Sequence, residues 1–88
     1  MSDFLRSNQS QTLELVGDLQ SPSFLPWVIR HSQRLGLTCE VLHSDDGKAV
    51  FKVDGQVDLI DAFEVGCLLG PFDVWVETIE RRPLTPNK

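Results

Sequence analysis

The segment Leu37–Gly55, "LTCEVLHSDDGKAVFKVDG", decides the fold because it reads as two strands joined by a tight turn. Apolar residues alternate with polar ones on both sides of "SDDG", and Ser, Asp and Gly tolerate the backbone of a turn. In the second strand, Ala49, Phe51 and Val53 share one face. The pattern therefore predicts an antiparallel hairpin with one buried face.

The segments on either side of the hairpin have helical spacing. Before it, "SFLPWVIRHSQRLG" repeats Phe24, Val28 and Leu35 on one face. Ser23 is placed to cap this helix, and Gly36 is placed to end it. After the hairpin, "QVDLIDAFEVGCLLG" keeps the helical spacing up to a Gly-Pro pair. Short runs at the two flanks, "TLELVGDL" and "DVWVETIE", predict the outer strands.

The element order is therefore β-α-β-β-α-β. This order is typical of the ferredoxin-like α+β sandwich, in which a four-stranded antiparallel sheet carries two helices on one face. The fold accommodates many activities, so it does not by itself identify one. We expect one domain over residues 12–82, a flexible N-terminal tail over residues 1–11 and a C-terminal tail over residues 83–88.

Composition and charge narrow the classes of partner. The 88 residues are 41% hydrophobic and 24% charged, as in a globular domain, and the net charge of −5 makes nucleic acid a poor partner. No apolar run could span a membrane and the first residues lack the features of a secretory signal, so we expect a cytoplasmic location. Cys39 and Cys67 have no metal-ligand spacing, and we expect reduced thiols with neither a metal nor a cofactor.

Several short words occur in order along these predicted elements. They are "LQ" at Leu19-Gln20, Phe24, "WV" at Trp27-Val28, "RLGLT" at 34–38, "DG" at Asp46-Gly47, "AFE" at 62–64 and "GP" at Gly70-Pro71. In this respect the chain resembles the acylphosphatase family, without gaps from about Gly17 to Pro71. The resemblance implies the ferredoxin-like fold and hydrolysis of the mixed anhydride of small acyl phosphates, without a metal or cofactor.

The resemblance also implies where a catalytic site lies. In the family, the loop before the first helix wraps backbone N–H groups around the phosphate, an arginine clamps the phosphoryl oxygens, and an asparagine orients the attacking water. Here the arginine position is Leu25, the asparagine position is His43, and Pro22 lacks an amide hydrogen. Since removing one preorganised donor typically costs ~10²–10³ in rate, the resemblance implies an impaired or inactive acylphosphatase.

Three functions remain as alternatives. The preferred one is a non-catalytic module that binds a protein, or that holds a small anion such as phosphate in the loop through Gln20, Ser21, Ser23 and Phe24. The second is an active acylphosphatase that places its phosphate differently. The third, by analogy of fold alone, is a regulatory module that senses a small molecule. Without a catalytic role, His43 is a surface residue at the end of a strand.

Apolar residues also occur where a soluble monomer usually has polar ones, and we expect a homodimer or another protein to cover them. Trp75 is the strongest candidate for an anchor. The pattern leaves open whether its side chain, or those of Val74 and Val76, face away from the helices. The predicted interface residues are Leu25, Ile29, Leu68, Leu69 and Trp75.

Overall fold

The computed structural model describes residues 8–70 and 73–83 and contains six elements in the predicted order. These are β1 (Asn8–Asp18), α1 (Phe24–Arg34), β2 (Thr38–Ser44), β3 (Lys48–Gln56), α2 (Val57–Leu69) and β4 (Trp75–Pro83). The strands form one sheet in the order β2-β3-β1-β4, and every pairing is antiparallel. Both helices pack on one face of this sheet, which confirms the ferredoxin-like α+β fold.

The N-terminal boundary differs from the prediction, because β1 begins at Asn8 rather than at residue 12. Asn8 pairs with Gln56, so residues 8–11 belong to the sheet and not to a tail. This end of the strand is polar but well partnered: the Gln11 side chain is buried and accepts a hydrogen bond from Arg81. At the other end β4 runs to Pro83. The rest of the two predicted tails, residues 1–7 and 84–88, lies outside the described residues.

The hydrophobic core forms between the hairpin and the two helices, as the alternation predicted. Among the five residues expected to be buried together, Phe24, Val28, Val53 and Phe63 are buried, while Leu35 is only partly buried. The reason is local, since Leu35 is the C-cap of α1 and lies at the edge of the sandwich. The fully buried apolar residues include Leu13, Leu15, Val28, Ala49, Phe51, Val53, Ile60, Phe63 and Cys67.

Helix α1 ends where glycine allows the chain to turn. Gly36 has a φ of 74°, a left-handed conformation that favours glycine. Its N–H donates to the Gln33 carbonyl at 3.0 Å, and the Leu37 N–H donates to the Ser32 carbonyl at 2.9 Å. These two bonds form a Schellman motif that satisfies the last carbonyls of the helix and directs the chain into β2.

The two helices meet through a stacked histidine. The His31 ring lies between Trp27 and Phe63, with ring centroids 5.1 Å and 5.3 Å away and nearly parallel planes. Its Nε2 atom is buried against Gly66 and finds no hydrogen-bond partner among residues 8–70 and 73–83. Burial lowers the pKa of this imidazole. A hydrogen bond to the Phe63 backbone acts in the opposite direction and raises the pKa, while the positive charge of Arg34 also lowers it. The histidine is therefore a packing residue between the two helices.

The two cysteines are free thiols on the inner side of the sandwich. Cys67 is fully buried, and Cys39 is partly buried against the core. Burial raises the pKa of Cys67 to about 12 and that of Cys39 to about 11. Because the thiolate is the reactive form, neither thiol is activated for chemistry. Of the described helices, neither is long and apolar enough to cross a membrane.

Candidate functional site

A cavity of about 540 Å³ opens between the β1–α1 loop and the turn that joins β2 to β3. It brings together four of the residues predicted to form the site, Gln20, Ser21, Phe24 and Leu25, and it adds residues of the "SDDG" turn. The predicted site residues Ser23 and His43 are not part of its lining. The resemblance linked the loop to His43 near the end of the second strand. The cavity instead joins the loop to the turn that follows this strand, so only some of the expected side chains line it.

Backbone amides at the start of the loop already have partners. The Leu19 N–H donates to the Asp46 carbonyl at 2.9 Å, which ties the loop to the turn. The Gln20 N–H points to the Asp18 carboxylate, with 3.4 Å between nitrogen and Oδ1. In a phosphate cradle such amides point at the ligand. Here they stabilise the loop itself.

The end of the loop is also closed on itself. The Ser23 N–H donates to Ser21 Oγ at 3.3 Å, and the Phe24 N–H donates to the Ser21 carbonyl at 3.2 Å. Pro22 between them has no N–H to offer. Ser23 occupies the N-cap position of α1 as predicted, but its side chain makes no capping hydrogen bond.

The cavity is acidic. Asp46 Oδ2 accepts a hydrogen bond from the Gln20 side-chain amide at 3.1 Å. Asp45 contacts His43, with 2.7 Å between Nε2 and Oδ2, and it accepts hydrogen bonds from the Gly47 and Lys48 amides. These contacts, with His43 the largest contribution, hold the pKa of Asp45 below its usual value. Within the described part of the chain, the lining contains these two carboxylates and no Lys or Arg.

Leu25 stands at the position where the resemblance implies an arginine. Its side chain is partly buried, packs against the hydrophobic core and lines the cavity. An isobutyl group offers no charge and no hydrogen bond to a phosphoryl oxygen. Leu25 is therefore a packing residue in the first turn of α1, at the helix end that faces the cavity.

His43 faces away from the cavity. It pairs with Val50, whose chain neighbours Ala49 and Phe51 are both buried on the helix side. Directly opposite residues share a face, so His43 lies on the face that carries no helix. An irregularity in register between Val41 and His43 sets this orientation. The sequence pattern could not reveal the irregularity, because it is defined only by pairing with β3.

Sequence reasoning missed Asp73, which completes the hydrogen-bonding of the loop. Its Oδ2 accepts hydrogen bonds from Ser21 Oγ at 2.6 Å and from Ser23 Oγ at 3.3 Å. The Ser21 hydrogen bond is the main reason that the pKa of Asp73 lies below its usual value. The first turn of α1 thus already has a carboxylate of this chain beside it, where negative charge is favoured.

The predicted interface residues fall on separate surfaces. Trp75 is 68% exposed while Val76 is 8% exposed, so the indole faces the side of the sheet without helices. Leu68 and Leu69 are exposed near the end of α2. The other two predicted interface residues, Leu25 and Ile29, are only partly buried on α1. Over residues 8–70 and 73–83, no three His, Cys, Asp or Glu side chains are grouped to hold a metal ion.

Solved structures with the same architecture include two acylphosphatases. An acylphosphatase from Coxiella burnetii superposes with a TM-score of 0.84 at 18% identity, covering 100% of this chain and 93% of that one. An acylphosphatase from Bacillus subtilis gives a TM-score of 0.79 at 17% identity, covering 93% and 89% of the two chains. Full-length HypF in its phosphate- and nucleotide-bound form gives 0.77 at 23% identity, covering 89% of this chain and 10% of HypF. No protein-family model and no curated protein sequence matches this chain.

Proposed function

Taking the acylphosphatase fold as the premise, we propose that this chain is a binding module that does not hydrolyse acyl phosphates. One observation carries the proposal: the cavity at the β1–α1 loop presents Asp45 and Asp46 and, among the described residues, no cationic side chain. The fold supports the likeness to acylphosphatases, and the side chains in the cavity have the wrong charge for their reaction.

The charge of this cavity opposes phosphoryl transfer. Catalysis of phosphoryl transfer depends on preorganised positive charge or N–H donors aimed at the developing negative charge, each worth ~10²–10³ in rate. Like charges near a protein surface repel each other, and solvent screens the repulsion between exposed groups. A phosphoryl dianion entering this cavity meets Asp45 and Asp46, with Leu25 where the clamp would be. The loss of attraction and the added repulsion act in the same direction.

Among binding functions, the geometry favours a protein partner over a small anion. The loop amides of Leu19, Gln20, Ser23 and Phe24 donate within the chain, and Asp73 already lies beside the first turn of α1. An anion would have to displace these internal bonds. By contrast, large apolar side chains are exposed to solvent without any rearrangement, with Trp75 on the sheet and Leu68 and Leu69 on α2.

An active acylphosphatase is the second candidate, and one observation favours it. The His43 imidazole is held by a carboxylate, as a general base often is, with 2.7 Å between Nε2 and Asp45 Oδ2. Against it, His43 lies opposite Val50 and outside the cavity lining.

The test is hydrolysis of a simple acyl phosphate, benzoyl phosphate, by the purified full chain. We expect the rate to equal that of buffer alone, with a circular dichroism spectrum recorded in the same buffer to show that the chain is folded. The loss of the anhydride is followed by ultraviolet absorbance at several protein concentrations. Turnover that increases in proportion to protein concentration would reject the proposal in favour of the active enzyme.

A further inference from the structure

The β1–α1 loop is held by a carboxylate from a distant part of the chain. Asp73 lies in the connection between α2 and β4, and its Oδ2 atom accepts hydrogen bonds from Ser21 Oγ at 2.6 Å and from Ser23 Oγ at 3.3 Å. The two hydroxyl oxygens are 3.0 Å apart and converge on the same carboxylate oxygen. Proteins hold phosphate and other oxyanions with charge-assisted hydrogen bonds of the same kind.

This contact takes the place of an ordinary helix cap. Ser23 is the N-cap residue of α1, where a serine hydroxyl usually accepts a hydrogen bond from an amide of the first turn. Here the Ser23 hydroxyl makes no such bond and donates to Asp73 instead. What the first turn gains in exchange is a negative charge, and an external anion at the same position would supply that charge equally well.

The carboxylate lies beside the acidic cavity and not within it. Of the described residues, Ser23 and Asp73 are absent from the lining that contains Asp45 and Asp46. The hydrogen bond from Ser21 lowers the pKa of Asp73, so the group keeps its negative charge near neutral pH. The contact is also exposed to solvent, so a dissolved anion can reach the two hydroxyls once the carboxylate is removed.

We propose that Asp73 makes an autoinhibitory contact, in which its carboxylate occupies the Ser21 and Ser23 hydroxyls and excludes phosphate and other small oxyanions from the loop. An incoming anion competes for the same donors and is repelled by the carboxylate charge. Because Asp73 belongs to the same chain, it occupies the donors without the loss of translational freedom that a dissolved anion meets on binding. The inference rests on the proposed function, since it names the group that closes this loop to phosphoryl ligands.

The experiment is a titration of the full ¹⁵N-labelled chain and its variants with inorganic phosphate, followed by two-dimensional NMR. Asp73→Ala should give saturable shifts at the amides of residues 21–25 with a Kd of about 1 mM, about tenfold tighter than in the unmodified chain. Asp73→Asn keeps an acceptor for the hydroxyls but loses the charge, so its affinity should be intermediate. The matched control is Asp58→Asn, which removes the same charge from the first turn of α2 and should bind phosphate no better than the unmodified chain.

A further variant tests whether the released donors hold the phosphate. Ser21→Ala in the Asp73→Ala background removes one of the two hydroxyls and should weaken the new affinity about threefold. The inference is overturned if Asp73→Ala binds phosphate no better than the unmodified chain, if Asp58→Asn improves binding equally, or if the shifts centre on Asp45 and Asp46. A circular dichroism spectrum shows whether each variant is folded, and Asp73→Asn decides the question if Asp73→Ala is not.

The benzoyl phosphate assay separates this inference from the proposed function. No gain in phosphate affinity on removing Asp73, in a chain that leaves benzoyl phosphate intact, rejects this inference alone. Turnover of benzoyl phosphate by the unmodified chain rejects the proposed function. In that case the comparison of Asp73→Ala with Asp58→Asn still decides whether the carboxylate of Asp73 keeps phosphate out of the loop.

Discussion

Replacing Gly66 with alanine tests how α1 and α2 pack together. An ideal Cβ at this position would lie 2.1 Å from His31 Nε2 and 2.5 Å from its Cε1. Real side chains do not approach so closely, so the imidazole has to move. It is stacked between Trp27 and Phe63, at 5.1 Å and 5.3 Å between ring centroids, and cannot move aside without separating those contacts.

Two effects of opposite sign determine how much Gly66→Ala changes the free energy of unfolding. In the interior of a helix, alanine is more favourable than glycine by ~1 kcal/mol. Overpacking a site that is already filled costs ~1–3 kcal/mol. Because the clash at His31 is severe, we expect the second effect to prevail and Gly66→Ala to lower the free energy of unfolding by about 1 kcal/mol. In a domain of this size such a change lowers Tm by about 4–8 °C.

The assay is urea unfolding of four proteins: the unmodified chain, Gly66→Ala, His31→Ala and the double variant. With the imidazole removed, the space above Gly66 is open, so in that background the alanine should stabilise by up to ~1 kcal/mol. The sign of the Gly66→Ala effect therefore reverses with the residue at position 31. A stabilising effect of Gly66→Ala in the presence of His31 would refute the packing argument.

Three further results are expected. Burial holds the pKa of His31 below 6.5, so the folded state binds fewer protons than the unfolded state. This contribution to stability is complete above pH 6.5 and is lost as the pH falls toward the folded-state pKa, and His31→Phe should remove it from unfolding curves measured between about pH 7 and pH 5. Arg81→Ala should lower the free energy of unfolding by ~1–3 kcal/mol in urea, because Arg81 is only 20% exposed beside its acidic partners, whereas Arg82→Ala, at a side chain 68% exposed, should change it little. Leu25→Arg should increase the affinity for phosphate more than the turnover of benzoyl phosphate, and adding Pro22→Val should increase that affinity further. Calorimetry measures the phosphate affinity, and the absorbance assay measures the turnover.

The order of elements could be predicted because each element has a clear period. Alternation over the hairpin and helical spacing on both sides of it required no knowledge of tertiary contacts. The start of β1 could not be predicted in the same way, since residues 8–11 are polar and the buried Gln11 side chain is hydrogen-bonded to Arg81 and Gln9. A satisfied polar residue in a strand has no signature in hydrophobic periodicity.

The sequence could predict which loop lies at the candidate site, but it could not predict all the side chains that surround that loop or how they are oriented. The resemblance placed Gln20 and Leu25 together at the loop before the first helix, and both line the cavity found there. It could not place Asp73, which reaches Ser21 across a separation of 52 residues. It also could not orient His43, because the irregularity between Val41 and His43 depends on pairing with β3. Contacts between distant segments, and changes of register, are properties of the folded chain.

The most direct measurement of the central claim is a titration of the full ¹⁵N-labelled chain with inorganic phosphate. The backbone amides from Gln20 to Leu25 report whether the loop holds a phosphoryl group. Because the amides of Gln20, Ser23 and Phe24 have internal partners and the cavity carries Asp45 and Asp46, we predict no saturable shift below about 10 mM phosphate. Saturable shifts confined to the loop, with a Kd near or below about 1 mM, would contradict the account, because the loop would then still bind phosphate.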